Sequence, residues 1–190
     1  MLCPKDRKTP LILGNLTSEL SAHLCEDCKG HWIPSEHYEK WRAQHRDQEM
    51  PDPSRCREIL DVDFVQSAYD TKAALCPECK HYLSRARINL PQSSSAFFVE
   101  RCPNCNGIWC DRGEWEILEK LGWHTTIEIL FTQEWQARVR KYEVADQERQ
   151  AIIEKLGEEL AEQVFQLATL LEKHPNGDFA VAYLMRRFER

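Results

Sequence analysis

Nine cysteines are the residues of this 190-residue chain that could do chemistry, and most of them stand in short pairs. Two pairs form the turns Cys76-Pro-Glu-Cys79 and Cys102-Pro-Asn-Cys105. Each turn places two thiolates together, and two facing turns supply the tetrahedral sulfur shell that zinc prefers. In a reducing compartment such clustering favours metal over disulfides. The predicted ligands of this zinc ion are Cys76, Cys79, Cys102 and Cys105.

The pairing of two turns also argues against a thiol–disulfide role, because a redox Cys-x-x-Cys normally works as one pair at a helix N-terminus. Cys56 and Cys110 stand outside these turns. We predict that each is a small buried hydrophobe rather than a reactive thiol.

The segment between the two turns has the pattern of a β-hairpin. Residues 82–88 and 96–101 are the two strands, and the turn-rich stretch 91–95 separates them. After the second turn, Gly107 is expected where the backbone crowds the metal. Trp109 is expected to cover that metal turn with apolar surface.

An acidic pair follows the hairpin. Asp111 and Glu114 have the spacing of a capping box that opens a short helix, which Gly122 would end. Because no nucleophile or base accompanies them, we interpret both carboxylates as structural rather than catalytic.

The same layout occurs earlier in the chain in weaker form. Residues 24–38 repeat the Cys pair, glycine, tryptophan and later aromatic residue of 101–115. This predicts a second zinc site, and its cysteines would be Cys3, Cys25 and Cys28. Asp6 occupies the position of the fourth cysteine, and carboxylate oxygen is an accepted zinc donor. The other interpretations are that His23 or His31 completes the site, that water completes it, or that the site holds no metal.

The remaining segments predict an α+β fold: two small zinc-ribbon units, each a β-hairpin plus a short helix, followed by an α-helical C-terminal tail. A helix is expected over 35–48, and residues 59–65 could be strand or helix. Helical apolar spacing continues from 127 to 173, with a last helix through Phe188. The expected domains are 1–49 with the degenerate ribbon, a 50–74 linker, 75–122 with the second ribbon, and 123–190.

Charge and hydropathy narrow the functional classes. The net charge of −6 lacks the basic excess that sequence-independent nucleic-acid binding needs. No apolar run is long enough to span a bilayer, and the N-terminus has no apolar signal core. We therefore expect a cytoplasmic protein that does not enter membranes.

The Cys76-Pro-x-Cys79 turn, followed by Cys102-Pro-x-Cys105-x-Gly-Ile-Trp-x-Asp-Arg-Gly-Glu114, resembles the transcription-factor-IIB-type zinc-finger family of small prokaryotic zinc ribbons. The resemblance is close over 75–120 and degenerate over 2–42. It implies a structural zinc ion on the four cysteines of the second ribbon. By analogy, Cys3, Asp6, Cys25 and Cys28 would hold one in the first, giving one or two zinc ions per chain.

These observations favour a non-catalytic zinc protein that acts as a protein-interaction scaffold or adaptor through its ribbons and helical tail. A protein partner is expected, and a homodimer through the tail is an open alternative. A second hypothesis is nucleic-acid or transcription-complex binding through the hairpin, and a third is a redox or chaperone-like zinc protein. The expected nucleic-acid contacts are Arg85, Arg87, Arg101 and Arg112.

Overall fold

The two ribbon segments form one continuous antiparallel sheet in the computed structural model, which describes residues 1–45, 50–57, 64–90 and 96–188. Its six strands in those residues are β1 (Leu11–Asn15), β2 (Ser21–Cys25), β3 (His31–Ile33), β4 (Ser84–Asn89), β5 (Ala96–Arg101) and β6 (Ile108–Cys110). Their order across the sheet is β1-β2-β3-β6-β5-β4. The first ribbon (β1–β3) and the second ribbon (β4–β6) are therefore joined by the β3–β6 pair.

Each ribbon is built on a hairpin whose register runs without interruption. In the second ribbon, β4 pairs with β5 from Ser84↔Arg101 to Asn89↔Ala96, as the sequence predicts. The predicted turn at 91–95 lies outside the described residues. In the first ribbon, β1 pairs with β2 in the same antiparallel manner.

Five α-helices occur in the described residues: α1 (Ser35–Gln44), α2 (Glu114–Leu121), α3 (Gln133–Leu156), α4 (Glu158–Lys173) and α5 (Gly177–Phe188). Short 3-10 helices cover Pro53–Arg57 and Ile127–Phe131. The helix expected over 35–48 ends at Gln44, and most of the segment 59–65 lies outside the described residues. Together with the sheet, these helices confirm the α+β prediction.

Two apolar cores lie on opposite faces of the sheet, because side chains alternate along each strand. Ile108 and Cys110 of β6 join the larger core, which the helices of both ribbons and the start of α3 cover. Trp109, between them in sequence, joins a smaller core with Trp32 and the metal-binding turns. The expectation that Cys110 is a buried hydrophobe agrees with its full burial, and Cys56 is buried in the larger core as well.

The chain divides into two compact units, Met1–Val139 and Arg140–Arg190. The part of the second unit that the structure describes, 140–188, is called the helical unit below. Within it, Gly157 separates α3 from α4 at a φ of 77°. Nothing in these units tests the finer division at 49, 74 and 122, which stays a prediction. Of the helices described, none is long and apolar enough to cross a bilayer.

Candidate zinc centres

Four turns of the same geometry present the cysteines. In each, the backbone N–H four residues after the first cysteine donates a hydrogen bond of 3.0–3.1 Å to that cysteine's carbonyl. The donor residue always has a left-handed φ, between 59° and 63°. These donors are Arg7, Lys29, Lys80 and Asn106. The chain thus builds one metal-binding turn four times, twice in each ribbon.

The second ribbon brings its four predicted ligands together. Cys76 Sγ lies 3.5 Å from Cys105 Sγ, and Cys79 Sγ lies 3.4 Å from Cys102 Sγ. All four sulfurs lie within 4.8 Å of one another. A tetrahedron with Zn–S bonds of about 2.3 Å has sulfurs roughly 3.8 Å apart, so the cluster fits a zinc ion with little adjustment.

The backbone also prepares these sulfurs for a cation. The N–H groups of Cys79 and Cys105 point at the sulfurs of Cys76 and Cys102, at 3.4 and 3.5 Å. Such bonds favour the thiolate form. Burial acts in the opposite direction and raises the pKa of Cys76 to about 11, so its thiolate needs a bound cation at neutral pH.

The first ribbon brings Cys3, Cys25 and Cys28 together, with their sulfurs within 4.8 Å of one another. Cys3 Sγ lies 3.6 Å from Cys28 Sγ, which reproduces the Cys76–Cys105 pair. His23 and His31 do not belong to this group of close ligand atoms.

Asp6 occupies the remaining corner of the first ribbon's site. Its Oδ2 lies 3.6 Å from Cys25 Sγ, and this contact reproduces the Cys79–Cys102 pair of the second ribbon. Asp6 lies outside the group of atoms that are all within 4.8 Å, so it would shift slightly to close the shell. The structure thus places Asp6 where the repeat predicts a ligand, and its binding of zinc stays a prediction.

The surroundings of Asp6 keep it ionised, as a metal ligand must be. Its Oδ1 accepts hydrogen bonds from the backbone N–H groups of Lys8 and Thr9, at 2.8 and 3.0 Å. Partial burial pushes the pKa of Asp6 upward, but the hydrogen bonds from Thr9 and Lys8 outweigh it and lower the pKa to about 2. Oδ2 therefore remains available as a charged donor.

The comparison with known protein families bears on the second ribbon. A family model described as transcription factor zinc-finger, the TFIIB-type zinc ribbon, matches residues 75–120. The matched zinc-finger segment contains the second ribbon, its four cysteines and all but the last residue of α2. No curated protein and no solved structure matches the chain. The chain therefore carries a zinc ribbon, and the cysteines of the first ribbon are consistent with a degenerate copy of it.

One tryptophan of each ribbon packs against a glycine of the other ribbon. A Cβ added to Gly107 would lie 2.2 Å from the Trp32 ring, and one added to Gly30 would lie 2.3 Å from the Trp109 ring. Trp109 packs with the metal-binding cysteines, as expected, and it also lies over Gly30 of the other ribbon. Gly107 lies beside its metal turn and in addition leaves space for Trp32. Each glycine makes room for the indole of the other ribbon.

The predicted capping box forms only in part. Glu114 Oε2 does accept a hydrogen bond from the Asp111 N–H, at 2.7 Å. The Asp111 carboxylate makes no side-chain cap to the helix, and its Oδ1 instead accepts the Trp109 indole N–H at 2.8 Å. Gly113, with a φ of 84°, precedes the first residue of α2 instead. Gly122 ends α2 in the left-handed conformation, as predicted.

A buried lysine, which the sequence did not single out, links the two ribbons. Lys5 belongs to the first metal turn, yet its Nζ lies 2.7 Å from Glu100 Oε1 on β5 of the zinc-finger segment. Glu78 occupies the position equivalent to Lys5 in the second ribbon, and it accepts the Trp32 indole N–H at 2.9 Å. The sequence offered one local sign of these contacts: Lys5 and Glu78 each follow a Cys-Pro pair, at equivalent positions of the two repeats.

The four arginines proposed for nucleic-acid contact do not form one exposed group. Arg85 is partly buried, stacks on Phe98 at 3.9 Å and lies 3.5 Å from Glu100 Oε1. Arg101 is also partly buried, whereas Arg87 and Arg112 are exposed. Arg85 is thus already stacked and ion-paired within the zinc-finger segment.

Proposed function

We propose that this chain is a non-catalytic zinc-ribbon scaffold and that its helical unit joins two copies of it. The zinc sites support the non-catalytic part, because a shell of four protein ligands leaves no coordination position for a substrate water. The exposed apolar surface of α5 carries the proposal.

Apolar side chains of α5 are exposed all round the helix. Their exposed fractions range from 37% at Leu184 to 85% at Phe188. The exposed set is Phe179, Val181, Tyr183, Leu184, Met185 and Phe188. A twelve-residue helix depends on packing of its apolar face for stability, and a patch of this kind marks an interaction surface.

Helix α4 adds a row suited to pairing with another helix. Leu160, Val164 and Leu167 are each more than a third exposed and follow the four- and three-residue spacing of packed helix pairs. Leu171 continues the row and is partly buried. This spacing is typical of helices that meet a like helix along one seam.

The charges of the helical unit complement a second copy of itself. Glu158 and Glu159 make the start of α4 acidic, whereas Arg186 and Arg187 make the end of α5 basic. Two copies related by a twofold axis can pair these ends reciprocally while covering the exposed apolar side chains of α4 and α5. This argues for a second copy as the occupant of the surface.

Mass measurement tests the proposal. We expect light scattering of the zinc-loaded chain to give a dimer, and Leu167→Asp to give a monomer with unchanged zinc content. Thr169→Asp is the matched control, since Thr169 stands on the opposite side of α4, and it should remain dimeric. A monomeric wild-type protein at every accessible concentration would rule out the dimer.

A second candidate is nucleic-acid binding, which the description of the matched family favours. Arg87 and Arg112 are the contacts that remain exposed. Binding would be salt-dependent and would weaken on Arg87→Ala and Arg112→Ala. Fluorescence anisotropy with single- and double-stranded oligonucleotides at low salt tests this, and no binding there removes the candidate.

A further inference from the structure

Three buried carboxylates form a group that is separate from both cysteine clusters. One oxygen from each of Asp70, Asp111 and Glu114 lies within 4.8 Å of the other two. None of the three residues is more than 1% exposed. We propose that Asp70, Asp111 and Glu114 form a site for one hard divalent cation such as Mg²⁺, Mn²⁺ or Ca²⁺.

Two oxygens in this cluster are buried and accept no hydrogen bond. They are Asp111 Oδ2 and Glu114 Oε1. Asp111 Oδ2 forms an ion pair with Lys5 Nζ at 3.6 Å, a distance too long for a hydrogen bond. Buried polar atoms normally have hydrogen-bond partners, so two buried oxygens without one in the same cluster indicate a missing partner.

The other oxygens of these carboxylates are held in place. Asp111 Oδ1 accepts the Trp109 indole N–H, and Glu114 Oε2 accepts the Asp111 N–H. Asp70 accepts the Phe98 N–H at 3.1 Å and the Gln66 amide at 2.7 Å. Each carboxylate oxygen has a second lone pair, so Asp70 can still bind a cation. Metal-binding carboxylates are commonly oriented by hydrogen bonds of this kind.

The charge of the region leaves room for a further positive partner. Glu100 adds a fourth buried carboxylate, while Lys5 and Arg85 supply two cations. When all four carboxylates are ionised, they carry two more negative charges than the two cations offset. One divalent ion balances this excess. Protons are the competing occupants, since burial raises the pKa of Glu114 well above its usual range.

The donor set selects the class of cation. Its atoms are all carboxylate oxygens, which suit Mg²⁺, Mn²⁺ and Ca²⁺. Zinc has the thiolates of the two cysteine clusters available in the same chain, and these suit it better. The proposed site therefore takes a different metal from the ribbons.

Titration of the zinc-loaded full chain with Mn²⁺, followed by electron paramagnetic resonance, tests the proposal. We expect one Mn²⁺ per chain in addition to the zinc, displaced by excess Mg²⁺ or Ca²⁺. Glu114→Gln and Asp70→Asn should each weaken Mn²⁺ binding by about tenfold or more. Asp178→Asn, which changes an exposed carboxylate on α5, is the matched control and should bind Mn²⁺ as wild type does.

Zinc content and circular dichroism of each variant show whether it has folded. If the variants fail to fold, wild-type protein decides the question: a thermal midpoint that rises with Mn²⁺ or Mg²⁺ concentration supports the site. An unchanged midpoint overturns it. Absence of Mn²⁺ binding at millimolar concentration, or equal binding by folded Glu114→Gln, overturns it as well.

Discussion

Trp32 and Trp109 lie directly opposite each other in the β3–β6 pair that joins the two ribbons. Each indole also lies over the glycine of the other ribbon, Gly107 or Gly30. The two zinc ribbons therefore pack against each other reciprocally and are not separate units joined only by the chain. This packing makes the stability of each ribbon depend on the other, which substitutions at the contact can measure.

A methyl group at Gly107 should destabilise the protein. Its Cβ would lie 2.2 Å from the ring of Trp32, which is fully buried and has little room to move. We expect Gly107→Ala to lower the free energy of unfolding by about 1–3 kcal/mol, measured by urea denaturation of the zinc-loaded chain. The equivalent change at Gly30 should act in the same way on Trp109.

A double-mutant cycle ties the effect of Gly107→Ala to the indole. Trp32→Phe removes the part of the ring that the methyl group would strike. The double variant should therefore be more stable than the sum of the two single changes implies. Purely additive free energies would show that the glycine is needed for another reason.

Replacing Lys5 should be more costly than replacing an exposed lysine. Lys5→Met removes the nearer cation beside Glu100 and leaves that buried carboxylate with Arg85 alone, at 3.5 Å. A loss of about 3–5 kcal/mol is expected from breaking a buried pair in this way. Thermal and urea unfolding measure it, and Lys8→Met, on an exposed side chain, is the control.

Neutralising Glu100 should partly rescue the Lys5 variant. Glu100→Gln in the Lys5→Met background removes the buried charge that has lost its lysine, so the double variant should be more stable than Lys5→Met alone. Equal stability of Lys5→Met and Lys8→Met would contradict the structural role of the pair.

Tyr38 links the first ribbon to the segment after α2. Its hydroxyl donates to the His124 carbonyl at 2.9 Å and accepts the Ile127 N–H at 3.1 Å. Tyr38→Phe leaves that buried N–H unpaired, which should cost about 1–3 kcal/mol in unfolding free energy. Tyr82→Phe is the control because Tyr82 is 74% exposed, and equal effects of the two changes would refute the link.

The metal-binding turns and hairpins could be predicted because local spacing determines them. A Cys-Pro-x-Cys turn and a pair of strands each depend on residues that are close in sequence. The β3–β6 pair could not be predicted in this way, since three-residue strands say little about their partner. The matching Gly30–Trp32 and Gly107–Trp109 spacings were visible, but their reciprocal contact emerges only when both ribbons are present.

Burial of charged residues was the other feature that the sequence concealed. Lys5 stands in a polar turn and would be expected at the surface, because lysine is rarely buried unless paired. Its partner Glu100 is far away in sequence, so only the tertiary structure brings the two together. The role of Asp111 was predicted only in part for a related reason: its spacing from Glu114 suggests a cap, while in the folded chain its carboxylate accepts the Trp109 indole N–H.

The two zinc sites should differ in how readily they release metal. Thiolate is a softer ligand than carboxylate and suits zinc better, so the first site, with Asp6 as its fourth ligand, should hold zinc less tightly. Cys28 also borders a cavity of about 440 Å³ with Tyr69 and Arg112, which gives a chelator a route to that site. We expect two zinc ions per purified chain and a chelator-release time course with a fast and a slow phase.

Substitutions at Asp6 assign the fast phase. Asp6→Cys recreates the ligand set of the second ribbon and should slow the fast phase toward the slow one, because Asp6 Oδ2 already occupies the position equivalent to Cys79 Sγ. Asp6→Ala removes the fourth ligand and should speed the phase or reduce the content to one zinc, while Asp52→Ala, on an exposed side chain away from both clusters, changes neither. Elemental analysis and a colorimetric chelator measure both quantities. If Asp6→Ala keeps two zinc ions with unchanged release, another group completes the first site and Asp6 serves only the turn.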